Sequence, residues 1–394
     1  MQHLLDPIIQ QLAGREVEQR LRSLRTVVPL AGGRISLDGR EVINFASNDY
    51  LGLSMHPELK RRAADCVQKY GVGNPSSRLI SGNVDLYDVI ERKLAKLKGT
   101  EAALVLPSGY QTNLTVLAAL GAVSGAESGS TAKTLLALDR LSHNSLLMGA
   151  QLSGCRWTRF QHNDFVDLEK RLLSDQYKDF SRRWIVSESV FSMDGDQSDI
   201  SALGAAARKL RAGLFVDEAH ATGVFGRAGM GLTVGHKDVT VAMGTFGKGL
   251  GGFGAYIACS QKLRDYLINF CAGLIYSTAL PPAVLGAIDA ALDVVPAMDD
   301  ARTHLLTQAN FVRTRLSSMG FDTARSTTQI IPILVGSEAK ALSLAAHLLE
   351  HGIFAPAIRP PTVAPESSRV RLSLSASHTQ EQINYLIKTM STWK

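Results

Sequence analysis

"VTVAMGTFGKGLGGFGAYIACS", residues 239–260, sets six glycines around a single lysine, Lys248. Glycine at that density costs backbone entropy, so the loop needs positive φ angles or a close approach of backbone to another group. Residues 247–252, GKGLGG, satisfy G-x-G-x-x-G, a dinucleotide fingerprint that requires a strand before it and a helix after it. The run before it, VTVAM, reads as a strand, but FGAYIACS after it also reads as a strand. The helix whose N-terminus would hold a pyrophosphate is therefore missing, and the chain contains no G-x-x-x-x-G-K-[ST] phosphate loop. A lysine in a small-residue loop between two strands suits a covalent amine instead. A Schiff-base lysine must be held at a strand end, screened from water and free to swing.

Outward from this loop, short apolar runs alternate with helical patterns. The runs are AALVL (102–106), TLLAL (134–138), WIVSE (184–188), LFVDE (214–218) and VTVAM (239–243), separated by stretches such as DLEKRLLSD and ISALGAAARKLRA. That alternation predicts an α/β fold with a mostly parallel sheet covered on both faces, and ligands gathered at the strand C-termini. Ahead of it, residues 1–55 read as an amphipathic helical arm reaching about Arg25, then a hairpin turning at Asp38-Gly39. Residues 56–285 form the large domain. A helical segment over roughly 282–319, then QIIPILV, KALSLAAHLLEHG, FAPAIRPP and RVRLSLS, makes 286–394 a smaller α+β domain.

Four further groups assemble around Lys248. Asp217 ends the buried run GLFVD, where a carboxylate can either cap the following turn or pair with a pyridinium nitrogen, and His220 follows three residues on. VLPSGYQTNL reads strand, turn, helix, so the backbone N–H groups of Ser108, Gly109 and Tyr110 point at an anion, with the Thr245 hydroxyl nearby. His143, in DRLSHNSLL just past TLLAL, supplies an imidazole to stack on a planar ring. Amine, carboxylate, anion cradle and stacking ring together are the parts that pyridoxal 5'-phosphate (PLP) needs.

FASNDYLGLS (45–54), SGY (108–110), DRLSHNS (139–145), ESVFSMDGD (188–196), VDEAHATGVFG (216–226), TFGKGLG (245–251), YSTALPP (276–282) and AIRPPTV (357–363) occur in the order seen in the α-oxoamine synthases, and the chain resembles that family from about residue 20 to its C-terminus. The resemblance implies a fold-type I PLP-dependent transferase, with a seven-stranded sheet in the large domain. It implies that Lys248 carries the cofactor, Asp217 meets the ring nitrogen, His220 the phenolic oxygen and His143 the ring face. Ser192 and Thr245 would contact cofactor oxygens, Gly109 and Tyr110 the phosphate. Arg25, Asn48, His143 and Thr362 would face substrate, and Arg359 the amino acid's carboxylate. Ser277 and Thr278 would reach the phosphate of the neighbouring subunit in a homodimer. HATGV, QHND (161–164) and IRPPTV are most similar to members that condense L-alanine with a pimeloyl thioester of coenzyme A or acyl carrier protein in biotin biosynthesis. Glycine with another acyl-CoA is the alternative within the family. Where relatives usually carry GSGGSR, this chain reads GVGNPSSR (71–78), and Pro75 stiffens that loop.

Composition agrees with such an enzyme. Of 394 residues, 45% are hydrophobic and 20% charged, enough to bury a large core, and the net charge of +6 suits anionic substrates. The one basic cluster, Arg15, Arg20, Arg22 and Arg25, has no interleaved aromatic residues, which disfavours nucleic acid. Cys66, Cys155, Cys259 and Cys271 show neither CxxC nor zinc spacing, so reduced thiols and no metal are expected. The first residues lack the basic and apolar regions of a signal peptide, and no apolar run is long enough to span a bilayer. These features predict a cytoplasmic protein with no membrane partner.

Overall fold

The computed structural model describes residues 2–123 and 133–393. The chain opens with α1 (Gln2–Val17), β1 (Val27–Pro29), β2 (Arg34–Leu37) and β3 (Arg40–Asn44). Next come α2 (Pro57–Tyr70), α3 (Leu86–Lys98), β4 (Ala102–Leu106), α4 (Gly109–Gly121), β5 (Thr134–Asp139), α5 (Asn144–Leu152), β6 (Arg156–Phe160) and α6 (Phe165–Leu172). Then follow β7 (Arg182–Glu188), α7 (Ile200–Lys209), β8 (Gly213–Asp217), β9 (Val241–Thr245) and β10 (Ala255–Cys259). Helices α8 (Gln261–Phe270), α9 (Ala272–Ile275), α10 (Pro282–Val294) and α11 (Asp299–Ser318) lead to the C-terminal elements. These are β11 (Ile330–Gly336), α12 (Glu338–Glu350), β12 (Ile353–Phe354), β13 (Ala357–Ile358), β14 (Ser368–Ser373) and α13 (Gln380–Met390).

Two compact units result. One comprises residues 49–192 and 197–303; the other comprises 1–48, 193–196 and 304–394. In the first, a seven-stranded sheet runs in the order β4-β10-β9-β8-β7-β5-β6. Only β10 is antiparallel to its neighbours. Most of its strands carry long apolar runs because both faces are covered. Leu136 and Leu138 pack with Val116, Leu117 and Phe215 on one side, Leu135 and Ala137 with Leu168, Leu203 and Val216 on the other. Gly244 sits inside β9 because the Tyr256 ring lies across it: a Cβ there would come within 2.4 Å of that ring.

The second unit holds a sheet of order β1-β2-β3-β12 and another of order β11-β14-β13. The Asp38-Gly39 turn joins β2 to β3 with φ of 49° and 86°, the left-handed pair that a two-residue hairpin demands.

Local expectations needed four corrections. Helix α1 stops at Val17: Gln19 takes φ 56° and the Arg20 N–H donates back to the Arg15 carbonyl at 2.7 Å, so Leu21 and Leu24 lie outside any helix. The strand expected at 239–243 is β9, two residues later, because the Val239 N–H closes a turn onto His236. The helical segment at 282–319 is broken around Pro296, in a short 3₁₀ turn, since proline lacks the N–H to continue. Strand β6 was missed because Arg156 and Arg159 face outward on this edge strand and interrupt the apolar run.

Candidate active site

Strand C-termini of the first unit surround a cavity of about 310 Å³. Beyond β4, Ser108 caps α4, its Oγ accepting the Gln111 N–H at 3.3 Å. The opening N–H groups of a helix have no intrahelical acceptor, so Gly109 and Tyr110 present donors to the cavity they line. Glycine at 109 leaves room for Thr245: a Cβ would stand 2.6 Å from Thr245 Cγ2 and force that side chain to shift. The Thr245 hydroxyl is buried without a partner among the described residues. It is a polar group waiting for a ligand atom.

Asp217 closes β8 and is 5% exposed. Its two oxygens accept the Ala219 N–H at 2.8 Å and Asn113 Nδ2 at 2.7 Å, so N–H dipoles hold this carboxyl group, which has no ion-pair partner among the described residues. Past β9, Lys248 Nζ lies 3.0 Å from His220 Nε2, and His220 Nδ1 lies 2.6 Å from the hydroxyl of the wholly buried Tyr50. His143 caps α5, with Nδ1 accepting the Ser145 N–H at 3.2 Å. Burial holds the His143 imidazole below its ordinary pKa, with Asp217 pulling up and Lys248 pulling down. Ser108, Gly109, Tyr110, His143, Asp217, His220, Thr245 and Lys248 therefore share one cavity.

Sequence reasoning missed Asn113, Glu188 and Tyr50. Asn113 sits one helical turn beyond the anion cradle, and Glu188 ends the run WIVSE just as Asp217 ends GLFVD; that shared strand-end position was the available signal.

Other sequence candidates lie elsewhere. Ser192 is not among the cavity's lining residues. Ser277 and Thr278 also stand outside it, Ser277 Oγ receiving a hydrogen bond from Gln111 Nε2 and Thr278 bridging to Ser77. In the second unit, a cavity of about 250 Å³ is lined by Arg20, Arg22, Arg359 and Thr362. Arg20 pairs with Glu338 at 2.7 Å, and Arg22 donates to Thr362 Oγ1 at 3.0 Å. Arg359 donates to the Gln19 carbonyl; burial and the nearby Arg22 charge lower its pKa. Neither Arg22 nor Arg359 has an ion-pair partner among the described residues, so this cavity carries uncompensated positive charge. Arg25 instead pairs with Asp38 at 2.7 Å, and Asn48 Oδ1 accepts from Arg371 at 3.1 Å.

Comparison with known proteins agrees with this geometry. Residues 40–390 match the family described as aminotransferase class I and II. An 8-amino-7-oxononanoate synthase of Gluconacetobacter diazotrophicus is 48% identical over 353 residues, covering 90% of this chain and 88% of that protein. A solved structure of SPT (serine palmitoyltransferase) with PLP superposes with a TM-score of 0.88 at 25% identity, covering 99% of this chain and 97% of that one. The 8-amino-7-oxononanoate synthase of Francisella tularensis superposes with a TM-score of 0.74 at 27% identity, covering 89% and 97%. The fold is that of the fold-type I PLP enzymes. By its match over nearly the whole length and its relative at 48% identity, the chain belongs to the aminotransferase class I and II family.

Proposed function

We propose that this chain condenses L-alanine with a pimeloyl thioester, on coenzyme A or acyl carrier protein, releasing CO₂ and free thiol carrier and forming 8-amino-7-oxononanoate for biotin biosynthesis. One observation carries the reading: an amine, a dipole-held carboxylate, an imidazole and a helix N-terminus converge on one cavity. These residues fit PLP. The orphaned Thr245 hydroxyl and the first N–H groups of α4 suit phosphate oxygens, and the Asp217 carboxylate suits a protonated ring nitrogen. When bound, PLP supplies an electron sink for the amino acid's α-carbon.

The chain's own residues do the rest. Lys248 Nζ holds the cofactor and then takes the α-proton of L-alanine, returning one to the product. His220 orients Nζ, and Tyr50 orients His220. Asp217 would pair with the ring nitrogen and favour its proton, and His143 would pack beside the ring. In the other unit, the unpaired guanidinium groups of Arg22 and Arg359, beside Thr362, suit a substrate carboxylate. Arg25 and Asn48, assigned to substrate by resemblance, and Ser192, assigned to the cofactor, complete the proposed contacts.

A cytoplasmic homodimer is part of the reading. The four cysteines are free, as in a reducing compartment. Val72, Ile80 and Tyr276 are 83%, 81% and 84% exposed, flanking the segments that carry Ser77 and Thr278, and a second copy of the chain would cover them. Ser277 and Thr278 would then serve the neighbour's phosphate.

The test is the visible spectrum of the PLP-loaded protein before and after L-alanine, followed by mass analysis of products with pimeloyl-CoA. A spectral change with L-alanine and a new amino-keto acid are expected. A response to glycine but not to L-alanine would transfer the chain to another α-oxoamine synthase activity.

A further inference from the structure

Glu188 and Asp217 end adjacent parallel strands and are direct partners in the register, so both side chains leave the same face of the sheet. Both line the cavity, and Glu188 is 3% exposed. Their surroundings differ. Asp217 accepts two N–H donors, whereas Glu188 Oε1 accepts one, the backbone N–H of His143 at 2.5 Å. No cation pairs with Glu188 among the described residues.

A circuit of donors joins the two. The two Nδ2 hydrogens of Asn113 go to Asp217 Oδ2 at 2.7 Å and Ser145 Oγ at 2.9 Å. The Ser145 hydroxyl is thereby left to donate to His143 Nδ1, 2.7 Å away. With Nδ1 accepting, the imidazole proton resides on Nε2. His143 is thus gripped twice, at its ring through Ser145 and at its backbone through Glu188.

We propose that Glu188 is a positioning residue that anchors His143 at the cavity and does so as a carboxylic acid. The proposal rests on the roles given above to Asp217 and His143. Two buried carboxyl groups at paired strand positions do not both ionise readily. Burial and the Asp217 charge push the Glu188 carboxyl well up, Asp139 adding in the same sense. The His143 N–H and Lys248 oppose them. His143 itself is kept neutral by burial, so it contributes no cation to hold Glu188 ionised.

The experiment compares Glu188→Gln, which keeps a neutral acceptor, with Glu188→Ala, which removes it. Turnover of the PLP-loaded enzyme should stay within about threefold of native for the glutamine variant and fall tenfold or more for the alanine variant. In the PLP-free protein, imidazole nitrogen NMR should show the Nε2–H tautomer of His143 in the native and glutamine forms and a changed signal in the alanine form. A glutamine variant as impaired as the alanine one would overturn the proposal, as would an alanine variant with native turnover and an unchanged His143 signal.

If Glu188→Ala does not fold, stability against pH decides. An acid whose folded pKa is raised keeps its proton where the unfolded chain has lost it, so its contribution falls as pH rises above about 4.5. The native protein should lose stability relative to Glu188→Gln over that range, and parallel curves would overturn the proposal. The NMR and stability readouts need no PLP. A failure of PLP to bind would therefore strike the proposed function, while these two measurements would still decide the role of Glu188.

Discussion

Replacing Asp217 by asparagine separates the carboxylate's charge from its shape. The new amide oxygen keeps the Ala219 N–H, at 2.8 Å in the native site, but its NH₂ meets Asn113 Nδ2 across the present 2.7 Å contact, donor against donor. Asn113 Oδ1 is buried without a partner among the described residues, so turning that amide over restores a hydrogen bond. The turn withdraws the donor from Ser145 Oγ, costing about 1–3 kcal/mol of stability. The fold survives such a loss. The chemical step does not: a unit charge about 4 Å from its partner is worth about 4 kcal/mol at an effective dielectric of about 20. That corresponds to roughly a thousandfold in turnover. The assay is turnover at saturating L-alanine and pimeloyl-CoA, with PLP occupancy from dialysis and a melting curve in parallel. Turnover within about tenfold of native, with PLP bound, would refute the role assigned to Asp217.

Two further outcomes follow from the second unit. Arg359→Lys keeps a positive charge but not the planar fork, so L-alanine, titrated by its effect on the PLP spectrum, should bind about 1.5–3 kcal/mol more weakly. Unchanged affinity with a lower melting point would leave Arg359 only its structural bond to the Gln19 carbonyl. His378, its ring tilted 31° to that of Phe45 at 4.2 Å and its Nε2 3.1 Å from the Asn44 carbonyl, is held by burial at a pKa of about 4. The unfolded chain takes up that proton near pH 6.5 and the folded one only near 4, so up to about 3 kcal/mol of stability is lost as pH falls through that window. Denaturant titrations of native protein and His378→Gln should diverge between those pH values, and parallel curves would exclude the effect.

Residues adjacent in sequence declared much of this site. The glycine loop with Lys248, the run ending at Asp217, the turn at Ser108 and the histidine beyond β5 were legible because each marks a strand end by its own local pattern. The doubly covered sheet was legible for the same reason: strands buried on both faces must be apolar throughout. What the pattern could not supply was which strand ends are neighbours. Asn113 meets Asp217 across 104 positions and Tyr50 meets His220 across 170, contacts set by sheet order and helix packing. Glu188 looked like the close of an ordinary strand; only the register beside Asp217 turns it into half of a carboxyl pair. Breaks governed by a single backbone conformation, at Gln19 and Pro296, also escaped hydrophobic periodicity. Periodicity reports the face on which a side chain is buried, whereas chemistry depends on which other side chain shares that face, and only the folded backbone decides that.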